Sequence, residues 1–178
     1  MNAPPDLHIR LLQSEDIGPI ISAFAAIGWN KSASQYERYL AEQTAEARVV
    51  LVAFIADHFA GYVTIQWQPG YPPFRAANIP EIQDFNVLPH YRRQHIGTAL
   101  LDEAEHRIAQ RSPIAGIGVG LYADYGPAQR MYVLRGYVPD GRGVAYDNRV
   151  VQPGDQVRVD DALVLSFTKN VSMDVGMK

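Results

Sequence analysis

A chain of 178 residues, 47% of them apolar, can bury one α/β core and is too short for two comfortable domains. Its formal net charge of -3 lacks the basic surplus expected of a nucleic-acid binder. The absence of cysteine excludes disulfides, thiolate metal sites and cysteine nucleophiles, and it fits a reducing compartment.

Residues 1–6 contain prolines and no apolar run, so they read as a short tail and not as a signal peptide. A first strand is expected over 7–12, where apolar and polar residues alternate. Ser14 is placed as the N-cap of a helix that runs through Ile27, with Glu15 and Asp16 in its first turn and Gly28 at its end. A second helix is expected over 32–47, capped by Ser32 or Ser34, with Tyr36, Tyr39, Leu40 and Gln43 at helical spacing. Two β-rich runs, 48–56 and 59–67, predict a hairpin. Prolines and a glycine mark 68–77 as a loop on which Tyr71 and Phe74 are mounted.

Residues 79–88 read as a strand that stops at Pro89, and 97–111 as a helix with Leu100, Leu101, Ala104 and Ile108 on one face. A strand over 114–122 follows, then a helix that opens at Pro127 and stops at Gly136. Tyr137 and Val138 restart a strand, 140–161 is a polar, glycine-containing excursion, 163–168 is a last strand, and 171–178 is a tail. No apolar run reaches membrane-spanning length. The expectation is therefore a soluble, cytoplasmic α/β protein with one domain over 7–170, built on a mixed β-sheet.

The most informative stretch is 82–101, where a strand ends, a basic turn follows, and a helix begins at Gly97. Amides at a helix N-terminus lack internal partners and face the positive end of the dipole, so an anion suits them. Arg92 and Arg93 add full charges, and a pyrophosphate is the natural ligand. The bland alternative is a strand-helix junction with two solvated arginines. No Gly-Lys-Ser/Thr follows, which excludes a Walker A loop, and the glycine triplet of a dinucleotide-binding fingerprint is absent.

Val87-Leu88-Pro89-His90-Tyr91 followed by Arg92-Arg93-Gln94-His95-Ile96-Gly97-Thr98-Ala99 resembles motif A of the GNAT superfamily of N-acetyltransferases, whose signature is Arg/Gln-x-x-Gly-x-Gly/Ala. His95 departs from it, standing where the family usually has its first glycine. A histidine is expected to keep an ordinary backbone conformation there, with its ring donating to phosphate or facing solvent. A second block, from Tyr125 through Ala128, Met131 and Tyr132 to Gly136 and Tyr137, is similar to the superfamily's motif B. Tyr125 replaces that motif's usual asparagine. A lone tyrosine at position 132 would more often be a packed core ring. Two motifs in the right order are more specific, and with the surrounding strands they cover roughly 7–137, most of the chain.

The resemblance implies a GNAT-like mixed β-sheet flanked by helices on both faces, acetyl-CoA as co-substrate, and direct attack of a primary amine on the thioester. It implies cofactor binding by Val87, Leu88, the run from Arg92 through Arg93, Gln94, His95, Ile96 and Gly97 to Thr98, and by Tyr125 and Ala128. The backbone N–H of Val87 would face the thioester carbonyl, and Tyr132 would serve as general acid to the leaving thiolate. An amine near its ordinary pKa is protonated at neutral pH, so a base is needed. Glu81, six residues before Val87, is preferred, because protein-acetylating members place a glutamate there. Asp84 is the rival, favoured if a bulge resets the strand's faces. Either acid read blandly is a solvated edge residue.

For the amine, Trp29, Asn30, Trp67, Tyr71 and Phe74 are the candidate contacts, and an aromatic cluster of that kind also suits core or a homodimer surface. His8, His58, His90 and His106 lack metal-ligand spacing, so no metal is expected. Asp160 and Asp161 read as a solvated turn. The competing function is a GNAT-fold acyl-CoA-binding sensor or partner without turnover. The acceptor amine itself is not encoded in either motif, because the family builds that pocket from variable loops.

Overall fold

The computed structural model describes Pro4 and residues 6–172, so the tails expected at 1–6 and 171–178 lie largely outside the described residues. Eight strands form a mixed sheet accompanied by helices, and the described chain divides into two compact units.

The first unit takes the described residues through Gln66 and adds Gln83–His106. Strand β1 (Leu7–Leu11) pairs antiparallel with β2 (Arg48–Ile55), which pairs antiparallel with β3 (His58–Gln66). Residues 83–87 of β4 (Glu81–Val87) lie next to β3, where Thr64 donates to the Gln83 carbonyl at 3.1 Å. Helices α1 (Ile17–Ala26) and α2 (Ala33–Thr44) cover this part of the sheet and bury Ile20, Phe24, Tyr36 and Tyr39 against Val50, Val52 and Tyr62.

A single 3-10 turn at Ser14–Asp16 leads into α1; its N-cap is Gln13, and Asp16 is the N-cap residue of α1 itself, so Ser14, the cap expected from the sequence, caps neither. Asp16, only 3% exposed, accepts the Gln13 amide at 2.8 Å and is gripped bidentately by Arg10 at 2.6 and 2.7 Å. That grip fixes the acid at the end of the turn, directly before α1, where its carboxylate reaches back to the Gln13 amide and closes a capping box. Helix α1 ends as predicted at Gly28, whose φ of 76° lets Gly28 donate to Ala25 and Trp29 donate to Phe24.

The second unit takes Trp67–Ile82 and the described residues from Arg107 onward. Glu81 and Ile82 of β4 pair parallel with Gly116 and Ile117 of β5 (Ile114–Gly120). Strand β8 (Leu163–Asn170) pairs antiparallel with β5 and with β6 (Val138–Tyr146), which turns back into the two-residue β7 (Arg149–Val150). Residues 140–161 are therefore not wholly an excursion. Gly141 and Gly143 take φ of 79° and 78° inside β6, and the register against β8 shifts between Pro139 and Val144. The bulge breaks the alternation by which a strand is recognised.

The loop expected at 68–77 also differs. Its prolines open a short helix, α3 (Pro72–Ala76), because proline is preorganised for a first helical turn. Tyr71 and Phe74 do not stand on a loop surface; they are 2% and 1% exposed and pack with Ala145, Ile79 and Val164.

Phe74 needs a glycine beneath it. A Cβ on Gly116 would come within 2.4 Å of the Phe74 ring, which is buried and cannot swing away. Gly116→Ala should cost about 1–3 kcal/mol in urea unfolding, the scale of overpacking. Gly126→Ala, where a Cβ meets nothing within 4 Å, should be neutral or stabilising. Equal midpoints for the two variants would show that the ring does not depend on Gly116.

Candidate active site

In the first unit the basic turn has the form that an anion-binding loop needs. Val87 ends β4 and Leu88 is buried in the core, its amide donating to the Ala60 carbonyl at 2.9 Å. A Cβ on Gly61 would lie 2.5 Å from the Asn86 carbonyl, so the glycine is what lets β3 approach the end of β4. After a single helical turn at Pro89–Tyr91, Arg92 donates to the Val87 carbonyl at 3.2 Å and Gln94 to the His90 carbonyl at 3.0 Å. The Arg92 guanidinium lies 5.9 Å from the Trp29 ring, which itself stacks on Phe24. Arg92, Arg93, Gln94 and Thr98 are exposed, His95 and Gly97 half-buried, and Ile96 buried.

His95 does not keep an ordinary backbone. Its φ is 61°, and that of Arg93 is 59°, so the turn visits the left-handed region twice in three residues. The position demands the conformation for which glycine is the default, and histidine adopts it because it is among the side chains that tolerate it best. The His95 carbonyl accepts the Ala99 amide at 2.9 Å and starts α4 (Ile96–Ala109). The first amides of that helix, at 96–98, have no partner within the helix geometry and point ahead of it. A helix N-terminus, a left-handed turn and two exposed arginines fit a pyrophosphate. Gly97 has a packing reason besides: a Cβ there would meet Phe85 at 3.0 Å.

The other feature of this unit is a hydrogen-bonded cluster around Asp84. Asp84 has a φ of 46° within β4, the strand irregularity on which its rivalry with Glu81 turned. Its Oδ2 accepts the hydroxyls of Tyr62 and, at 3.0 Å, of Tyr39, together with Gln35 Nε2 at 2.8 Å. Its Oδ1 accepts Asn86 Nδ2 at 2.9 Å and Lys31 Nζ at 3.4 Å. Burial, and then the negative charge of Asp84, push the Tyr62 and Tyr39 hydroxyls above the ordinary tyrosine range, so both remain donors. Tyr39 was visible in the sequence only as part of a helical face, and nothing in the sequence tied Lys31, Gln35 or Tyr62 to Asp84. Asn30, by contrast, is simply exposed.

In the second unit Glu81 is buried to 9% exposure, and its Oε1 lies 3.4 Å from where a Cβ on Gly118 would stand. Helix α5 (Gly126–Leu134) carries Ala128, half-buried, and Tyr132, 4% exposed. Gly136 at φ 88° closes the helix, donating to Val133 while Tyr137 donates to the Tyr132 carbonyl, both at 3.0 Å. Burial alone pushes the Tyr132 hydroxyl above its ordinary range, so it stays protonated at neutral pH. Tyr125 lies flat on Gly120, where a Cβ would come within 2.4 Å of its ring, and donates to Asp161 at 2.9 Å. Tyr122 donates to the same carboxylate oxygen, with its ring 5.0 Å from that of Tyr125. Asp160 accepts the Tyr146 hydroxyl at 3.1 Å. The two aspartates read as a solvated turn thus anchor the segment before β8. Tyr71 donates to Asp140 at 3.0 Å from within the core, so it and Phe74 pack and do not present a surface.

Among the described residues no helix is long and apolar enough to cross a membrane, and no three His, Asp or Glu side chains cluster as metal ligands do.

A sequence profile of the acetyltransferase (GNAT) family matches residues 15–137. No curated protein sequence matches the chain. Solved structures similar to it include an N-acetyltransferase from Staphylococcus aureus Mu50, at 14% identity and a TM-score of 0.68, covering 93% of this chain and 99% of that one. The Salmonella typhimurium protein yncA, described as an acetyltransferase and solved with its cofactor acetyl-CoA, is 16% identical at a TM-score of 0.65, covering 97% and 98%. A spermidine N-acetyltransferase SpeG chimera from Vibrio cholerae and hSSAT is 14% identical at a TM-score of 0.67, covering 93% and 96%. At such identities the likeness is one of fold.

The left-handed turn makes His95 a sensitive position. His95→Gly should raise stability by up to about 1 kcal/mol by removing a positive-φ penalty, whereas His95→Val should lower it by more than about 1 kcal/mol, since β-branched residues are outliers there. Thermal melts of the two variants test this. Shifts of the same sign and size would mean that the backbone at His95 is not held left-handed in solution.

Proposed function

The chain belongs to the acetyltransferase (GNAT) family, and on that premise we propose that it transfers the acetyl group of acetyl-CoA to a primary amine by direct attack. The observation that carries this reading is the turn from Arg92 to His95 leading into α4, which offers amides and guanidinium groups to a pyrophosphate. In the reaction the amine, having lost a proton to the base, bonds through nitrogen to the acetyl carbon, the carbon–sulfur bond breaks, and CoA leaves as the thiolate, which takes its proton from solvent. Arg92, Arg93, Gln94 and the backbone of 95–98 are proposed to hold the phosphates, and the Val87 backbone and the Tyr125–Ala128 segment the remainder of the acetyl-CoA.

Tyr132 is proposed as the donor to the departing sulfur. Its hydroxyl is held above the ordinary tyrosine range, and a thiol titrates near 8.5. Full proton transfer from such a phenol to a free thiolate is uphill. Its role is therefore a hydrogen bond that strengthens as charge builds on sulfur. For the base, Glu81 and Asp84 remain the two candidates. The irregularity at Asp84 supports the second, and the placement of Glu81 beside Gly118 of β5 supports the first.

Acetyl-CoA should raise the melting temperature by mass action, and a panel of polyamines, aminoglycosides, amino acids and peptides should contain an acceptor that releases free CoA. No shift at millimolar acetyl-CoA would sink the reading. A shift with no thiol release from any amine would instead identify a sensor that binds without turnover.

Tyr132→Phe keeps the packed ring and removes the hydroxyl, so acetyl-CoA affinity should hold while turnover falls by about 10²-fold. Full turnover in this variant would make Tyr132 purely structural. Glu81→Gln and Asp84→Asn, assayed alongside it, identify the base as the variant whose lost turnover is partly restored at higher pH.

A further inference from the structure

The two oxygens of Asp84 are unlike. Oδ2 is filled by three donors, the hydroxyls of Tyr62 and Tyr39 and the Gln35 amide. Oδ1 has one good bond, from Asn86 at 2.9 Å, and one long one, from the Lys31 ammonium at 3.4 Å. That ammonium is also 3.4 Å from the Tyr62 hydroxyl, and it lies 5.5 Å and 5.9 Å from the ring centroids of Phe24 and Tyr62. A carboxylate oxygen, a phenol oxygen and two aromatic faces gathered around one primary ammonium are the parts of an amine-binding site.

Several observations set this pair apart from a structural ion pair. The Arg10–Asp16 bridge of the same unit closes at 2.6 and 2.7 Å with two parallel bonds, while Lys31 makes none shorter than 3.4 Å. The side chains of Lys31 and Asp84 are 21% and 20% exposed, so solvent reaches the contact. Lys31 stands between α1 and α2 in no helix or strand, and its side chain can leave without breaking a backbone ladder. Asp84 cannot leave. Its three Oδ2 donors and its left-handed backbone fix it in place.

We propose that Asp84 Oδ1, the Tyr62 hydroxyl and the rings of Phe24 and Tyr62 form a binding site for the primary ammonium of an incoming small amine, with Lys31 as its internal occupant that the amine displaces. The site needs both a positive charge and a hydrogen-bond donor. A quaternary ammonium brings the first without the second, and an alcohol the second without the first. Lys31 lowers the apparent affinity by the fraction of time that it holds the site, and so sets a threshold that weakly bound cations do not cross. What becomes of the bound amine rests on the acetyl-transfer reading; the binding site itself does not.

The test is calorimetric titration of n-butylammonium chloride, n-butanol and butyltrimethylammonium chloride into wild type, Lys31→Met and the double variant Lys31→Met/Asp84→Asn, with no acetyl-CoA present. Lys31→Met should bind n-butylammonium about tenfold more tightly than wild type, corresponding to an occupant in place about nine-tenths of the time. Neither of the other two probes should gain, and the double variant should lose the effect. Equal affinity in wild type and Lys31→Met, or a gain shared by butanol, overturns the proposal. A second reading needs no variant. The Lys31 ε-methylene resonances, shifted by the ring currents of Phe24 and Tyr62, should move toward free-lysine values as n-butylammonium is added to wild type. Resonances that stay in place overturn it equally. A failure of acetyl transfer would leave both measurements untouched and would appear only in CoA release.

Discussion

One constraint organises the first unit: strand β4 must turn at Asp84 through a left-handed residue that is not glycine. A non-glycine residue in that region costs on the order of 1–3 kcal/mol. Each hydrogen bond to a charged group returns about 1.5–3 kcal/mol, and the Asp84 carboxylate accepts four with distances between donor and acceptor no longer than 3.0 Å. The bonds outweigh the strain. They also reach into α2 through Gln35 and Tyr39, into β3 through Tyr62, and along β4 through Asn86. The same carboxylate therefore fixes the helix, the neighbouring strand and the irregularity together, and removing it would release all three.

A second carboxylate acts in the same manner at a different place. Asp161 takes the hydroxyls of Tyr122 and Tyr125 on one oxygen, and Tyr125 can lie on the β5 backbone only because position 120 has no side chain. Where the family's motif has an asparagine, this chain has a ring held by a loop acid. The segment leading into β8 is thereby coupled to the start of α5, although the two are far apart in sequence. The segment after β6 is more than connection; it supplies the anion that holds that ring.

The sequence revealed the elements wherever periodicity and punctuation were local. Gly28 and Gly136 end their helices through the expected left-handed turns, and the hairpin of β2 and β3 lies where its alternation predicts. It failed where a tertiary contact overrode a local rule. The cap before α1 moved because Arg10 holds Asp16, and β6 was hidden by two glycines whose bulge interrupts its alternation. His95 shows the limit most directly. The motif gave its position, but the expectation of an ordinary backbone followed from the residue type, while the turn imposed the conformation. Asp84 was legible as an acid on a strand. Its partners were not, since Lys31 and Gln35 are about fifty residues away and no spacing rule joins them to it.

The bulge in β6 has an effect at the margin of the sheet. Strand β7, the last in the hydrogen-bonding order, is only Arg149 and Val150, and Asp147 and Asn148 in the turn before it take positive φ of 47° and 64°. A strand this short exposes too few backbone donors and acceptors to template a further one, and an arginine on it opposes the approach of another chain. The bulge between Pro139 and Val144 kinks the part of β6 that β7 does not pair with, so this margin presents no long flat edge on which copies of the protein could stack.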